Sequence, residues 1–513
     1  MARHEASPPA DLHSVFLALH HVDHQVHSLV HIPEIILLSD NGTGPLLPLE
    51  RLNRLENFGH SIHSPGYLYR PTQIEEIEEL FAASRKQGVA VALRGSGRSY
   101  GDAALNSGGI VLNFQRMNRI LEWNPETGII KVEPGVTIEQ LWKYTLEDGW
   151  WSPVVPGTMF PTLGGVLAAN VHGKNNWRAG TLGEHVLEFE ALLPNGKHVV
   201  CTPKKNKDLF YGIIGGMGML GVFTSITLQM KKVYSGYLEV KAWVEPTLER
   251  MLAAINENKE EDYNVGWVDC TAFGKRLGRG QMHTARYLEP GEDPNPAQSL
   301  SVDAQVLPDT MFGIMPKSIV YQFLRLGMNN LGAWGGNLAK YILNRTLEQN
   351  KVDRWTFTEF SFLLDYVPNW ERSYGNGGLI QYQSFLPKET AYDTYMQILR
   401  LSKRRGLPSY LGVLKRHRPD DFLLSHAVDG FSLALDYKVT RRNVARLRKL
   451  TADLNQIVLE GGGRFYFAKD STLTPDVVQA YLGEETVSKL KKLKKKVDPQ
   501  NVLQTDLYKR CFG

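Results

Sequence analysis

Between Ile74 and Gln87 the apolar residues Ile74, Ile77, Leu80, Phe81 and Ala83 recur at helical spacing, with Pro71-Thr72 in front to open and cap the helix. The period then changes, because Val89 to Leu93 is an unbroken apolar run of strand length. Strands are predicted again at Ile110–Phe114 and Ile129–Val132, and a helix at Ile138–Glu147 after the Pro134-Gly135 turn. Alternating, β-branched stretches at His185–Leu193 and Val222–Met230 read as further strands, so an α+β lobe closes near Tyr234. Beyond it, Leu238–Val244, Leu379–Leu386, Leu433–Lys438 and Arg464–Ala468 look like strands and alternate with helices such as Glu389–Arg404 and Arg441–Glu460. That pattern predicts a second lobe, roughly 235–475, built as an antiparallel sheet with helices on one face.

Two stretches interrupt this regularity. Thr310 to Leu347 is apolar, broken by Gly327, Gly332, Gly335 and Gly336 and dotted with Lys317, Arg325, Lys340 and Arg345. A lid that leans on a membrane and a pair of buried helices covering the sheet are equally good readings of it. The run from Lys489 to Lys496 has the charge to touch anionic lipid or phosphate, but a solvated helix face is the better reading. Asp498-Pro499 ends that helix, and Val502-Leu503 is expected to dock back on the first lobe.

At 513 residues and 42% hydrophobic content the chain supports two lobes with full cores, and disorder is disfavoured. A net charge of +4 is too small for a nucleic-acid footprint. Cys201, Cys270 and Cys511 are far apart and show no zinc spacing, so neither a disulfide framework nor a bound metal is expected. No apolar run reaches transmembrane length. Residues 1–50 hold seven of the fifteen histidines (His4, His13, His20, His21, His24, His27 and His31) and no cysteine, and are read as a poorly constrained extension. They lack the basic start and small-residue cleavage site of a secretory signal, so a cytoplasmic chain is expected, peripheral to a membrane if it meets one.

Chemistry concentrates in three glycine-rich stretches. Arg94-Gly95-Ser96-Gly97-Arg98-Ser99-Tyr100-Gly101 comes directly after a strand, and its glycines permit the positive φ angles that let successive N–H groups converge on an anion. Beyond Gly101 the chain reads as loop and then strand, which excludes a Rossmann turn because that turn must open a helix. The same test removes Gly216-Met217-Gly218-Met219-Leu220-Gly221, which matches G-x-G-x-x-G literally but runs into strand-forming residues. Between them lie Pro156-Gly157-Thr158 and Thr162-Leu163-Gly164-Gly165-Val166-Leu167-Ala168-Ala169-Asn170-Val171-His172-Gly173-Lys174-Asn175. Their small residues let backbone approach a planar ring or a phosphate, and Thr162, Asn170, His172 and Asn175 add hydrogen-bonding side chains. A nucleotide held by loops between strands fits these stretches.

RGSGRSYGD, PTLGGVLAANVHGKN and GGMGMLGVFTSITL together resemble the flavin-binding lobe of the p-cresol methylhydroxylase and vanillyl-alcohol oxidase superfamily. In the second lobe Leu277 to Gly280, Trp370 to Gly375, Gln381-Tyr382-Gln383, Val413-Leu414-Lys415 and Gly462 to Asp470, together with Lys496 to Pro499, resemble its decaprenylphosphoryl-β-D-ribose 2-oxidase branch. The likeness implies an FAD-binding domain of the p-cresol methylhydroxylase (PCMH) type over 51–235, an antiparallel-sheet substrate domain covered by helices over 236–475, and a segment 476–513 that returns to the first.

It further implies FAD with its pyrophosphate on Gly95, Ser96, Gly97, Arg98, Ser99 and Tyr100 beside Arg94. The flavin ring then falls near Gly157, Thr158, Thr162, Gly164, Gly165, Asn170, His172, Gly173 and Asn175, and the adenine end near Gly218, Gly221 and Val222. Arg98 stands where many members carry a flavin-tethering histidine, and His172 sits beside a dissociable cofactor in the resembling branch, so non-covalent FAD is expected. Lys469 matches the family's essential lysine, to act as base or orienting donor for a secondary hydroxyl, with Tyr100 facing flavin and substrate. Gln383, Lys415 and Ser432 are expected in the substrate wall and Lys174 against a substrate phosphate, whereas Tyr374 reads as packing. Ala434 and Ser432 replace the cysteine and asparagine of the actinobacterial enzymes, a change in the substrate wall. The implied activity is oxidation of a sugar hydroxyl, on a polyprenyl-phosphate pentose, with a short-chain reductase completing an epimerisation. An aldonolactone oxidase and a flavoprotein without turnover, serving binding or electron transfer, are the alternatives.

Overall fold

The computed structural model describes residues 46–311 and 315–513; the histidine-rich segment up to residue 45 lies outside them. Val91–Arg94 is the last strand of a four-stranded sheet, in the order Leu52–Glu56, His63–Tyr69, Ile110–Asn113, Val91–Arg94. It runs parallel to Ile110–Asn113, and the connection between these neighbours, residues 95–109, contains no helix. Parallel neighbours need a crossover of a dozen or more residues, which is usually helical. Here the crossover is the first glycine turn itself, which is why that turn leaves the sheet and reaches another part of the molecule. The preceding helix, Ile74–Gln87, buries Ile77 and Phe81 and stops at Gly88 in the left-handed region. Its N-cap is Gln73, and the backbone N–H and hydroxyl of Thr72 bind Glu76 instead of capping.

A five-stranded antiparallel sheet comes next, in the order Ile120–Asn124, Ile129–Val132, Val222–Gln229, Val186–Leu192, His198–Cys201. The third sheet has eight strands, all antiparallel: Lys351–Thr356, Tyr237–Glu245, Gly280–Tyr287, Tyr263–Val268, Gly412–His417, Gly430–Lys438, Leu379–Pro387, Arg464–Phe465. Helices Leu248–Glu257, Ala391–Arg404 and Val444–Glu460 form one layer on it. A side chain at Gly266 would strike Met251 of that layer, which marks the helical side of the sheet. Val265 and Trp267, Gln381 and Gln383, Val413 and Lys415 lie on the opposite side, each pair two residues apart and thus on one face. The molecule is α+β.

Three expectations change. Only Arg464 and Phe465 enter the ladder, and the chain then turns, with the Lys469 and Asp470 N–H groups both donating to the Tyr466 carbonyl. Leu163–Ala168 is a short helix where the glycine-rich stretch read as loop. In the basic helix Glu484–Val497, Lys494 is buried rather than solvated, because its ammonium binds Asp498 at 2.6 Å, the Leu503 carbonyl at 2.5 Å and the Met219 carbonyl at 2.9 Å. No helix of the described residues is long and apolar enough to cross a membrane.

Arg510, in the helix Asp506–Cys511, closes the structure. Its guanidinium donates twice to Asp102 at 2.8 Å and once to Asp470 at 2.9 Å, joining the end of the first glycine turn to the residue after Lys469. Asp102 and Asp470 are both buried. Arg510→Met strands two carboxylates and should lower unfolding free energy by about 3–5 kcal/mol, with Arg510→Lys recovering part of it, as measured by urea denaturation.

Candidate active site

A cavity of about 740 Å³ lies between the glycine turns and the free face of the eight-stranded sheet. Arg94 through Tyr100, Gly157, Thr158, Thr162, Gly164, Gly165, His172, Lys174, Gly218, Gly221, Val222, Gln383, Lys415 and Lys469 all line it. Four expected positions do not. Asn170, at φ 43°, turns its carboxamide oxygen to the Gly183 N–H, and Asn175 donates to the Pro153 carbonyl, so both brace the loop from behind. Gly173 backs onto Asn175. Ser432 is fully buried behind Gln383, whose amide nitrogen donates to its hydroxyl at 3.3 Å.

The first turn has the properties of an anion cradle. Among the described residues, none of the backbone N–H groups of Gly95, Ser96, Gly97, Arg98 and Ser99 has a protein acceptor. Successive unpaired amides lining a cavity demand an external acceptor, and a diphosphate supplies one. Gly95 is obligatory here, since a Cβ would run into the Thr162 hydroxyl. The Arg94 guanidinium donates to the Glu56 and Ala104 carbonyls and so braces the turn. Arg98 lies over the rings of Phe58 and Phe160, at 4.9 and 5.2 Å. Further orphaned polar atoms wait in the wall: the Tyr100 and Tyr466 hydroxyls and His172 Nδ1. At Gly165 an added Cβ would meet only the Thr162 hydroxyl, at 3.3 Å, leaving a flat approach for a ring. Backbone amides for a diphosphate, a bare surface for a ring and unpaired donors around it fit FAD.

The other wall is cationic. Lys469 reaches its position on the turn after Phe465 and holds its ammonium 3.8 Å from the Tyr100 ring centre. Burial brings its pKa down to about 7, with Asp436 pulling it up and Lys415 pushing it further down. Burial likewise lowers Lys174 to about 7, assisted by Lys415, and Lys415 itself to about 8. Among the described residues none of the three makes a salt bridge. Lys174 donates to the Phe360 carbonyl. Gln383 is locked by donating to His172 at 3.1 Å and to Ser432, which also bonds His417 at 2.8 Å.

Sequence reading missed Asp436. It is buried, its carboxyl pushed up to about 6 by burial, and it accepts from Gln381 at 2.7 Å. The two are opposite each other across adjacent strands, a register that no motif spelled out. Trp267 and His283 of the cavity wall were missed as well, as they sit in strands with no motif around them.

A fold of this kind with an FAD cradle and a cationic wall defines an FAD-dependent oxidoreductase acting on CH–OH groups, and comparison with known proteins agrees. The family model "FAD binding domain" matches residues 65–202. Over 83% of its length the chain is 32% identical to decaprenylphosphoryl-beta-D-ribose oxidase of Mycolicibacterium smegmatis, covering 90% of that protein. It therefore belongs to the same family of FAD-dependent oxidoreductases, within the vanillyl-alcohol oxidase and p-cresol methylhydroxylase superfamily. More distant matches include L-gulonolactone oxidase of Mus musculus, 28% identical over 32% of this chain and 37% of that one, and the mitochondrial cytochrome D-lactate dehydrogenase of Arabidopsis thaliana, 29% identical over 34% and 32%.

Gly165→Val places two methyl groups on the bare surface. Flavin-fluorescence titration of the apoprotein should show FAD affinity reduced at least about tenfold, a change of about 1.4 kcal/mol, with an unchanged far-ultraviolet circular dichroism spectrum.

Proposed function

We propose that the protein oxidises a secondary hydroxyl of a polyprenyl-phosphate pentose, with FAD held without a covalent bond. The observation that carries this reading is the set of three lysines, Lys174, Lys415 and Lys469, enclosed around one cavity with no carboxylate in salt-bridge contact among the described residues. Enclosed cations without a counter-charge are costly, and a phosphate brought by the substrate supplies that charge at Lys174 and Lys415. The match to the relative named for a decaprenylphosphoryl ribose covers 83% of the chain, whereas the L-gulonolactone oxidase match covers only a third of it.

FAD, when bound, accepts the hydride leaving the carbinol carbon. Lys469 takes the hydroxyl proton. Its burial-lowered pKa of about 7 keeps a large fraction of the amine neutral near pH 7, and Asp436 prevents a deeper fall. Tyr100 backs the amine through its ring face, and the carbonyl oxygen of Gln383 is left to orient a sugar hydroxyl, because its amide nitrogen is already committed. The ketone product then passes to a short-chain reductase, which returns hydride to the opposite face. Arg98 occupies the tether position between two aromatic rings, and no thiol or imidazole takes its place in that turn.

Acid precipitation should release all the yellow chromophore into the supernatant; colour retained in the pellet overturns non-covalent binding. In anaerobic mixing with a short-chain polyprenyl-phosphate pentose, Lys469→Ala should keep FAD bound but lose flavin bleaching by at least about a hundredfold. Bleaching by aldonolactones instead would reassign the substrate, and bleaching by no sugar would leave an electron carrier. In the unmutated protein the bleaching rate should rise with pH through about 7, as Lys469 loses its proton. Asp436→Asn removes the charge that holds this pKa up and should move the rise to lower pH, and Lys415→Gln should move it to higher pH.

A further inference from the structure

Helices Lys317–Gly327 and Asn330–Leu347 form one side of the cavity mouth, with Leu324, Asn337 and Lys340 in its wall. Their outer side is unlike the rest of the surface. Nine of the twenty-one large hydrophobic side chains exposed among the described residues fall in 317–347, among them Leu326 at 80%, Leu331 at 74%, Leu347 at 67% and Phe323 at 57%. Within the pair only Lys317, Val320 and Tyr341 are buried, so the reading of two buried covering helices does not hold. The pair is fastened by polar contacts, Asn337 to Thr271, Asn344 to Gln281 and Lys438 to the Met328 carbonyl, which leave its apolar side free among the described residues. Phe273, 69% exposed, extends the patch by packing edge-on against Trp334.

Within the pair the exposed charges, Arg325, Lys340 and Arg345, have one sign, with Asp309 and Glu348 lying just outside it. Residues 317–347 contain Lys317, Arg325, Lys340 and Arg345 and no aspartate or glutamate, and exposed Lys275 and Arg276 adjoin Phe273. A second copy docked face to face across a two-fold axis would bring these like charges together. An anionic bilayer accepts both features, with apolar side chains entering the acyl boundary and the cations meeting headgroups. We propose that this helical pair is a membrane-docking face that sets the cavity mouth against an anionic lipid surface, so that a lipid-linked substrate enters without leaving the bilayer. The purpose assigned to docking rests on the substrate reading above; the docking itself does not.

The test is flotation of the FAD-loaded protein with phosphatidylcholine vesicles, with and without about one-third phosphatidylglycerol. Binding should be at least tenfold stronger with phosphatidylglycerol, weaken with salt, and fall at least tenfold in the triple variant Phe323→Ser, Leu326→Ser, Leu331→Ser and in Arg325→Glu with Arg345→Glu. Flavin absorbance and melting temperature report that the variants stay folded. Failure of the unmutated protein to float, or flotation of the triple variant at the unmutated level, overturns the proposal. So does loss of binding in Lys491→Glu with Lys492→Glu alone, or a dimer on size exclusion that the triple variant dissolves. Vesicle binding without flavin bleaching by a short-chain lipid-phosphate sugar leaves docking in place and removes the substrate reading; bleaching without vesicle binding does the reverse.

Discussion

Arg510 donates to Asp102 and Asp470 at 2.8–2.9 Å, and these carboxylates sit one residue beyond the two segments on which the site depends. Asp102 comes directly after the cofactor turn, and Asp470 directly after Lys469. The Tyr100 N–H also donates to the Ala468 carbonyl at 3.0 Å, and a Cβ on Gly101 would collide with the Asp470 carbonyl. The glycine is thus required by the approach of a second backbone as well as by any ligand. Together these contacts make the phosphate cradle and the proposed base one rigid unit, although they lie more than 360 residues apart in the chain. Preorganisation of this kind is what hydride and proton transfer to fixed acceptors require.

Around that unit the electrostatics arise from enclosure. A lysine surrounded by protein loses hydration, so its charged form is disfavoured and its pKa falls. Lys415 lowers Lys174 and Lys469 further, and only Asp436 opposes the trend at Lys469. The result is an amine that ionises near neutrality facing a region that attracts anions. His172, His417 and His426 are also buried and held neutral by burial and by neighbouring cations, so they contribute hydrogen-bonding geometry, not charge. Ser432 acts through this layer: its hydroxyl bridges Gln383 and His417 without reaching the cavity. Ala434 does reach it.

Much of the scaffold was legible. The helix at Ile74–Gln87 and the strand at Ile129–Val132 fall where their periods predicted, because amphipathic spacing directly encodes which face is buried. The strands Tyr263–Val268 and Gly412–His417 escaped notice, since a strand covered on both faces loses its alternation, and glycines at 266 and 412 blunt it further. The short helix Leu163–Ala168 hid in a run of small residues whose propensity is weak and whose helicity comes from packing. Lys494 read as one more solvated lysine because a charge run does not reveal that one member points inward to two carbonyls and a carboxylate.

By itself the sequence determined the glycine turn and its exclusion from the Rossmann class, because both depend on local residue chemistry and spacing, whereas Arg98 at the tether position and Lys469 stood out through resemblance to a family. Only the tertiary structure decided which polar groups share the cavity. It set Asn170, Asn175 and Ser432 behind the wall, brought Asp436 opposite Gln381, and left the helical pair at 317–347 apolar side out. Those outcomes rest on strand register and on contacts between residues hundreds of positions apart, and a one-residue slip in register would turn every such side chain to the other face.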